Sequence, residues 1–122
     1  MQLQAEQTKI LGTLIELSQA LGRPERKFTI IGEGNTSASL GDGTFLLKAS
    51  GTELATIDDS GFVRLYEAKI LELLKRGNIS EEELKRFFNE AKADPAQTRR
   101  PSVEALMHAI CLSYEGVRFV GH

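Results

Sequence analysis

Ser102, Glu104, His108 and His122 are the residues through which this sequence could do chemistry. Ser102 and Glu104 fall in the first turn of an expected helix opened by Arg99-Arg100-Pro101, and His122 comes later, at the end of an apolar strand. A hydroxyl and free amides at a helix start favour an anion, and a carboxylate with an imidazole can ligate a divalent metal. Glu104 and His108 lie at i and i+4, so they share a helix face and are placed to hydrogen-bond. That helix carries no second histidine, so structural pairing is the expected role of His108 rather than ligation. His122 differs: the next residue on its strand face would lie two positions further on, where a His-x-His pair would be completed.

Three segments could present backbone amides and hydroxyls without bulk in the way: Gly34-Asn35-Thr36-Ser37, Ser50-Gly51-Thr52, and Ser102 at its helix start. Such groups, converging, make a phosphate site. Each segment by itself reads more simply as a turn. Gly32-Glu33-Gly34 opens like a dinucleotide fingerprint, but position 37 is serine and an alternating strand follows where a helix is needed, so that reading fails.

These residues need a scaffold, and the apolar spacing supplies one. Ile10, Leu11, Leu14, Ile15, Leu17 and Leu21 recur with helical period between Ala5 and Leu21, with Gly22 expected in a left-handed cap and Pro24 refusing to continue. Phe28-Thr29-Ile30-Ile31 reads as a short strand. Ser37 to Leu40 and Thr44 to Lys48 form a hairpin about Gly41-Asp42-Gly43, and Gly61 to Leu65 returns antiparallel after Asp58-Asp59-Ser60. A helix over Ala68, Ile70, Leu71, Leu73 and Leu74 stops at Gly77-Asn78. Another opens on the capping sequence Ser80-Glu81-Glu82-Glu83 and runs to about Ala93, with Phe87 and Phe88 inward. The last helix begins near Pro101 or Ser102 and buries a stripe of Val103, Leu106, Met107, Ile110, Cys111 and Tyr114. Glu115-Gly116 ends it before a strand from Val117 to Val120.

With 122 residues, 41% hydrophobic and 26% charged, the chain has the balance of one globular domain with one core. A net charge of -2 offers no general attraction for nucleic acid, so no nucleic-acid partner is expected. The lone Cys111 excludes a disulfide framework and reads as a small buried hydrophobe in a reducing compartment. The amino terminus lacks a signal-peptide pattern, and no apolar run approaches the roughly 18 residues of a membrane span, so a cytoplasmic protein without a membrane partner is expected.

In Gly34-Asn35-Thr36-Ser37, Lys48-Ala49-Ser50-Gly51, Pro101-Ser102-Val103-Glu104 and Gly121-His122, in that order, the sequence resembles the class II aldolase/adducin family, which includes the L-fuculose-phosphate and L-rhamnulose-phosphate aldolases. The resemblance covers nearly the whole chain. It implies an α/β, three-layer fold with a mainly antiparallel central sheet flanked by helices, and residues 1–122 as an incomplete, truncated domain of that kind. It further implies a divalent metal, usually zinc, held by three histidines, of which His122 would be the first. Glu104 would be the catalytic acid/base at the carbon nucleophile, and Gly34, Asn35, Ser50, Gly51 and Ser102 would hold the substrate phosphate.

An enediolate needs a cation near its oxygens, a carboxylate to shuttle one proton and fixed donors for the phosphate, which these residue types suit. Val103 stands where some relatives carry a second hydroxyl. The chain contains neither the second histidine of His-x-His nor the third, and one histidine does not hold catalytic zinc, so the isolated chain is expected to be inactive. The expectation is the amino-terminal part of a metal-dependent lyase or epimerase acting on a sugar or sugar-phosphate, forming a homo-oligomer. The alternative is a non-catalytic adducin-like assembly or binding domain.

Overall fold

The computed structural model describes residues 2–23 and 34–122. The expected strand over Phe28-Thr29-Ile30-Ile31 lies outside the described residues. Among them, helix α1 (Ala5–Leu21) comes first, then strands β1 (Thr36–Ser39), β2 (Thr44–Lys48) and β3 (Phe62–Tyr66). Helices α2 (Glu67–Leu71), α3 (Glu81–Glu90) and α4 (Ala105–Leu112) follow, and strand β4 (Phe119–Gly121) closes the order. The four strands make one antiparallel sheet in the order β3-β2-β1-β4. No helix among the described residues is long and apolar enough to cross a membrane.

The strands alternate, and the alternation builds three layers. Leu46, Ala38 and Phe62 face α1 and pack with Leu11 and Leu14. Phe45, Leu47, Val63 and Leu65 face the other way, onto Ile70, Phe87, Phe88, Ala105, Ala109 and Leu112 from α2, α3 and α4. The β1–β2 turn uses Gly41 at φ +81 and Gly43 at φ +86, left-handed values that side chains rarely adopt.

Several boundaries differ from the sequence reading. Gly22 ends α1 in a right-handed conformation, φ -82, and not in a left-handed cap. Its missing side chain serves a close approach instead, since a Cβ there would lie 2.3 Å from the backbone nitrogen of Ala55. The helix after β3 stays α-helical only to Leu71 and tightens to a 3-10 turn over Glu72–Lys75. Helix α3, capped by Ser80 Oγ accepting from the Glu83 amide at 3.2 Å, stops at Glu90 rather than near Ala93. The next residues pair with the β3 edge instead: Tyr66 N donates to Ala91 O at 2.9 Å and Ala93 N to Arg64 O at 2.9 Å.

The largest departure concerns α4. It begins at Ala105, while Pro101 is held extended in a bridge to Ala49. Its buried face is Ala105, His108, Ala109 and Leu112; Val103, Met107 and Tyr114, expected inside, are exposed. Two alanines allow the helix to sit close to the sheet, a gain that spacing of large apolar residues does not register. Cys111 is half-buried.

Asp42 ties the hairpin tip to the rest. It accepts from Thr44 N at 3.0 Å, Gln7 Nε2 at 2.9 Å and Arg64 Nη2 at 2.6 Å. Burial alone would raise its carboxyl, but the bonds from Thr44, Gln7 and Arg64 outweigh that and hold it at about 2. A folded value below the ordinary one stabilises the fold above about pH 4 and loses that contribution as pH falls through about 2. Asp42→Asn should therefore destabilise the protein more at pH 7 than at pH 3 in urea unfolding; an equal loss at both pH values would mean that the carboxylate charge is not what matters there.

Candidate functional site

The site forms where β1 lies between β4 and β2, under the start of α4. Asn35 and His122 exchange backbone hydrogen bonds, Asn35 N to His122 O at 2.9 Å and His122 N to Asn35 O at 3.0 Å. The β1–β4 register thus delivers His122 to the residue just before β1. Gly34, one residue earlier, has φ +101, which favours glycine. Glu104 precedes the first turn of α4 and projects to the same place: Asn35 Nδ2 donates to its Oε2 at 3.1 Å, and His122 Nε2 pairs with that same oxygen.

His108 sits one turn further along α4 and is fully buried. Its side chain does not bond Glu104, as the spacing suggested; its Nδ1 hydrogen-bonds Ser37 Oγ of β1 at 2.5 Å. The backbones of the two residues share the helical bond from His108 N to Glu104 O, at 3.1 Å. The other ring nitrogen, Nε2, is buried with no hydrogen-bond partner. The rings of His108 and His122 lie 5.2 Å apart, centroid to centroid. One ligand atom from each of Glu104, His108 and His122 falls within 4.8 Å of the others.

This donor set fits a divalent ion. Two imidazoles and a carboxylate are ligands that zinc accepts, and an orphaned buried imidazole nitrogen is costly unless something meets it. Burial, then the charge of His122, pushes the His108 imidazole down to about 4 against the opposing pull of Glu104. It is therefore neutral at pH 7, the form that ligates. His108, read from the sequence as a structural partner, joins Glu104 and His122 from α4.

The expected phosphate residues divide between two places. Asn35 is at the cluster, and its Nδ2 keeps one hydrogen beyond that given to Glu104. Ser50 and Gly51 follow β2, and Ser50 N donates to Arg100 O at 2.8 Å, which sets this loop beside Ser102. Gly51 has φ +84. Ser102 is buried, and its Oγ accepts from the Glu104 amide at 3.2 Å, shaping the turn into α4. Lys48, at the end of β2, was not singled out: it is 4% exposed, and burial lowers its ammonium while the charge of Glu104 opposes the shift. Only its position before the Ala49-Ser50-Gly51 segment signalled it.

His108 has a folded value below its ordinary 6.5, so the unfolded chain takes the proton first. Stability is full above that value and is lost as pH falls toward 4, by about 3 kcal/mol. Urea unfolding of metal-stripped protein between pH 7 and pH 4 should show this decline, and His108→Gln should flatten it. An undiminished decline in the variant would remove His108 as its source.

Comparison with known proteins places this arrangement. A structure titled as the N-terminal class II aldolase domain of a conserved protein from Thermoplasma acidophilum matches with TM-score 0.77 and 24% identity, over 100% of this chain and 56% of that one. An L-fuculose 1-phosphate aldolase matches with TM-score 0.60 and 20% identity, over 94% of this chain and 43% of that one. This chain thus spans about half the length of the first and less of the second, and at such identities the likeness is one of fold. No curated protein matched the sequence significantly. Residues 13–122 match the Class II Aldolase and Adducin N-terminal domain, and the chain belongs to that family.

Proposed function

We propose that this chain is the amino-terminal part of a metal-dependent class II aldolase-like lyase that acts on a sugar or sugar-phosphate by enediolate chemistry. The observation that carries the reading is the grouping of Glu104, His108 and His122 within 4.8 Å, with His108 Nε2 left without a partner. His122 and His108 would hold a divalent ion, with zinc a choice that two imidazoles favour. Such an ion, when bound, supplies Lewis-acid polarisation of a carbonyl oxygen.

The protein's own groups do the rest. Glu104 takes or returns the proton at the carbon nucleophile, and Asn35 Nδ2, donating to Glu104 Oε2, orients the carboxylate for it. Ser37 fixes the ring of His108 through Nδ1 and so aims Nε2 at the cluster. Gly34, Asn35, Ser50, Gly51 and Ser102 would bind the substrate phosphate, the first two beside the proton-transfer group and the others at the neighbouring loop. The parent protein would work in the cytoplasm as a homo-oligomer, and turnover would need ligands beyond those of this chain. A non-catalytic adducin-like domain is what remains if the metal reading fails.

Calorimetric titration with Zn²⁺ should show one ion per chain, with affinity reduced tenfold or more in Ser37→Ala, where the ring of His108 loses its orienting bond. In the parent protein, Glu104→Gln should lose aldol cleavage by about 10²–10⁴-fold while the ion is retained. A chain that binds no zinc, or turnover that survives in Glu104→Gln, would overturn the respective assignment.

A further inference from the structure

Bordered by Ser50 and Arg100, a cavity of about 650 Å³, open to solvent, lies between α3 and residues 98–103. Its volume is that of a small-molecule site. The floor is apolar, made by Leu84, Phe88 and Val103. Val103 is 80% exposed, a large apolar surface that nothing in the fold covers.

The rim is cationic. Lys85, Lys92 and Arg100 line it with Arg86, against the single acid Glu81. Among the described residues none of these four cations forms an ion pair. Arg86 also borders a cavity with Glu83 and Glu90, which offset its charge locally, but Lys85, Lys92 and Arg100 have no such neighbours in that cavity. Lys92 is only 7% exposed, and its ammonium is held at 3.0 Å by the carbonyl of Gln97, which uses one of three donor hydrogens. A fixed, mostly buried ammonium with donors to spare, flanked by two exposed cations over an apolar floor, concentrates positive potential in a concave place.

We propose that this groove is a binding site for an anionic small molecule, its phosphate or carboxylate met by Lys85, Lys92 and Arg100 and its carbon body lying on Phe88 and Val103. The groove shares Ser50 with the loop proposed for the substrate phosphate, but it is lined by no residue of the histidine cluster and does not depend on the metal reading. It explains why three unpaired cations surround exposed apolar surface in a protein whose overall charge is -2. An acidic head answers the rim, and an apolar body answers the floor.

The test is amide NMR on metal-stripped protein titrated in parallel with phenyl phosphate, benzoate and inorganic phosphate. Phenyl phosphate or benzoate should give saturable shifts at residues 84–92 and 98–103 and bind more tightly than inorganic phosphate. Which of the two organic acids binds better tells phosphate from carboxylate. Lys85→Gln with Arg100→Gln, both at exposed positions, should weaken binding at least tenfold, since each charge-assisted bond contributes about 1.5–3 kcal/mol. Undiminished binding in that double variant, no saturable shift at millimolar ligand, or shifts confined to Asn35, Gly51 and His122 would overturn the proposal. Because no metal is present, groove binding and zinc binding at the cluster succeed or fail independently.

Discussion

The two backbone hydrogen bonds between Asn35 and His122 hold the cluster of Asn35, Glu104 and His122 together. They extend the β1–β4 ladder by one residue at the end where α4 begins, so a late strand delivers its last imidazole to the loop that precedes an early one. Glu104 can then be reached at once by the amide of Asn35 and the ring of His122. Antiparallel register is specific because a slip of one residue turns every side chain to the other face. Here a slip would send His122 toward α1 and away from Glu104.

The second constraint is the approach of α4 to the sheet. Ala105 and Ala109 are fully buried, and between them His108 enters the core far enough to bond Ser37 on β1. A buried ring nitrogen without a partner costs about 1–3 kcal/mol, and the packing of Phe45, Leu47, Leu65 and Leu112 around the same core stands against that cost. The imidazole is kept neutral by its surroundings, and its Nε2 stays without a partner in the folded state.

The same stretch of chain serves two environments. Arg100, Pro101 and Val103 border the cationic groove, whereas Ser102 and Glu104 turn inward to the opening of α4 and the histidine cluster. The bridge from Ala49 to Pro101 and the bond from Ser50 to Arg100 keep that stretch extended between them.

Much of the scaffold was legible in the residues alone. The α1 limits, the hairpin about Gly41-Asp42-Gly43, the return read over Gly61 to Leu65 and found at Phe62–Tyr66, and the Ser80 cap follow from local periodicity and turn chemistry, which act within a few residues. Glu104 and His122 stood out by type and spacing, and the family followed from four short segments in order. The sequence did not disclose which face of α4 is buried: large apolar residues pointed to Val103, Met107 and Tyr114, while the sheet accepted Ala105, His108, Ala109 and Leu112. Nor did it disclose that His108 bonds Ser37 or that its ring comes together with Glu104 and His122. Local pattern determines which elements form, because helix and strand periods are written in neighbouring residues; the cluster was decided only by strand register and by how closely α4 packs, which are contacts between residues far apart in the chain.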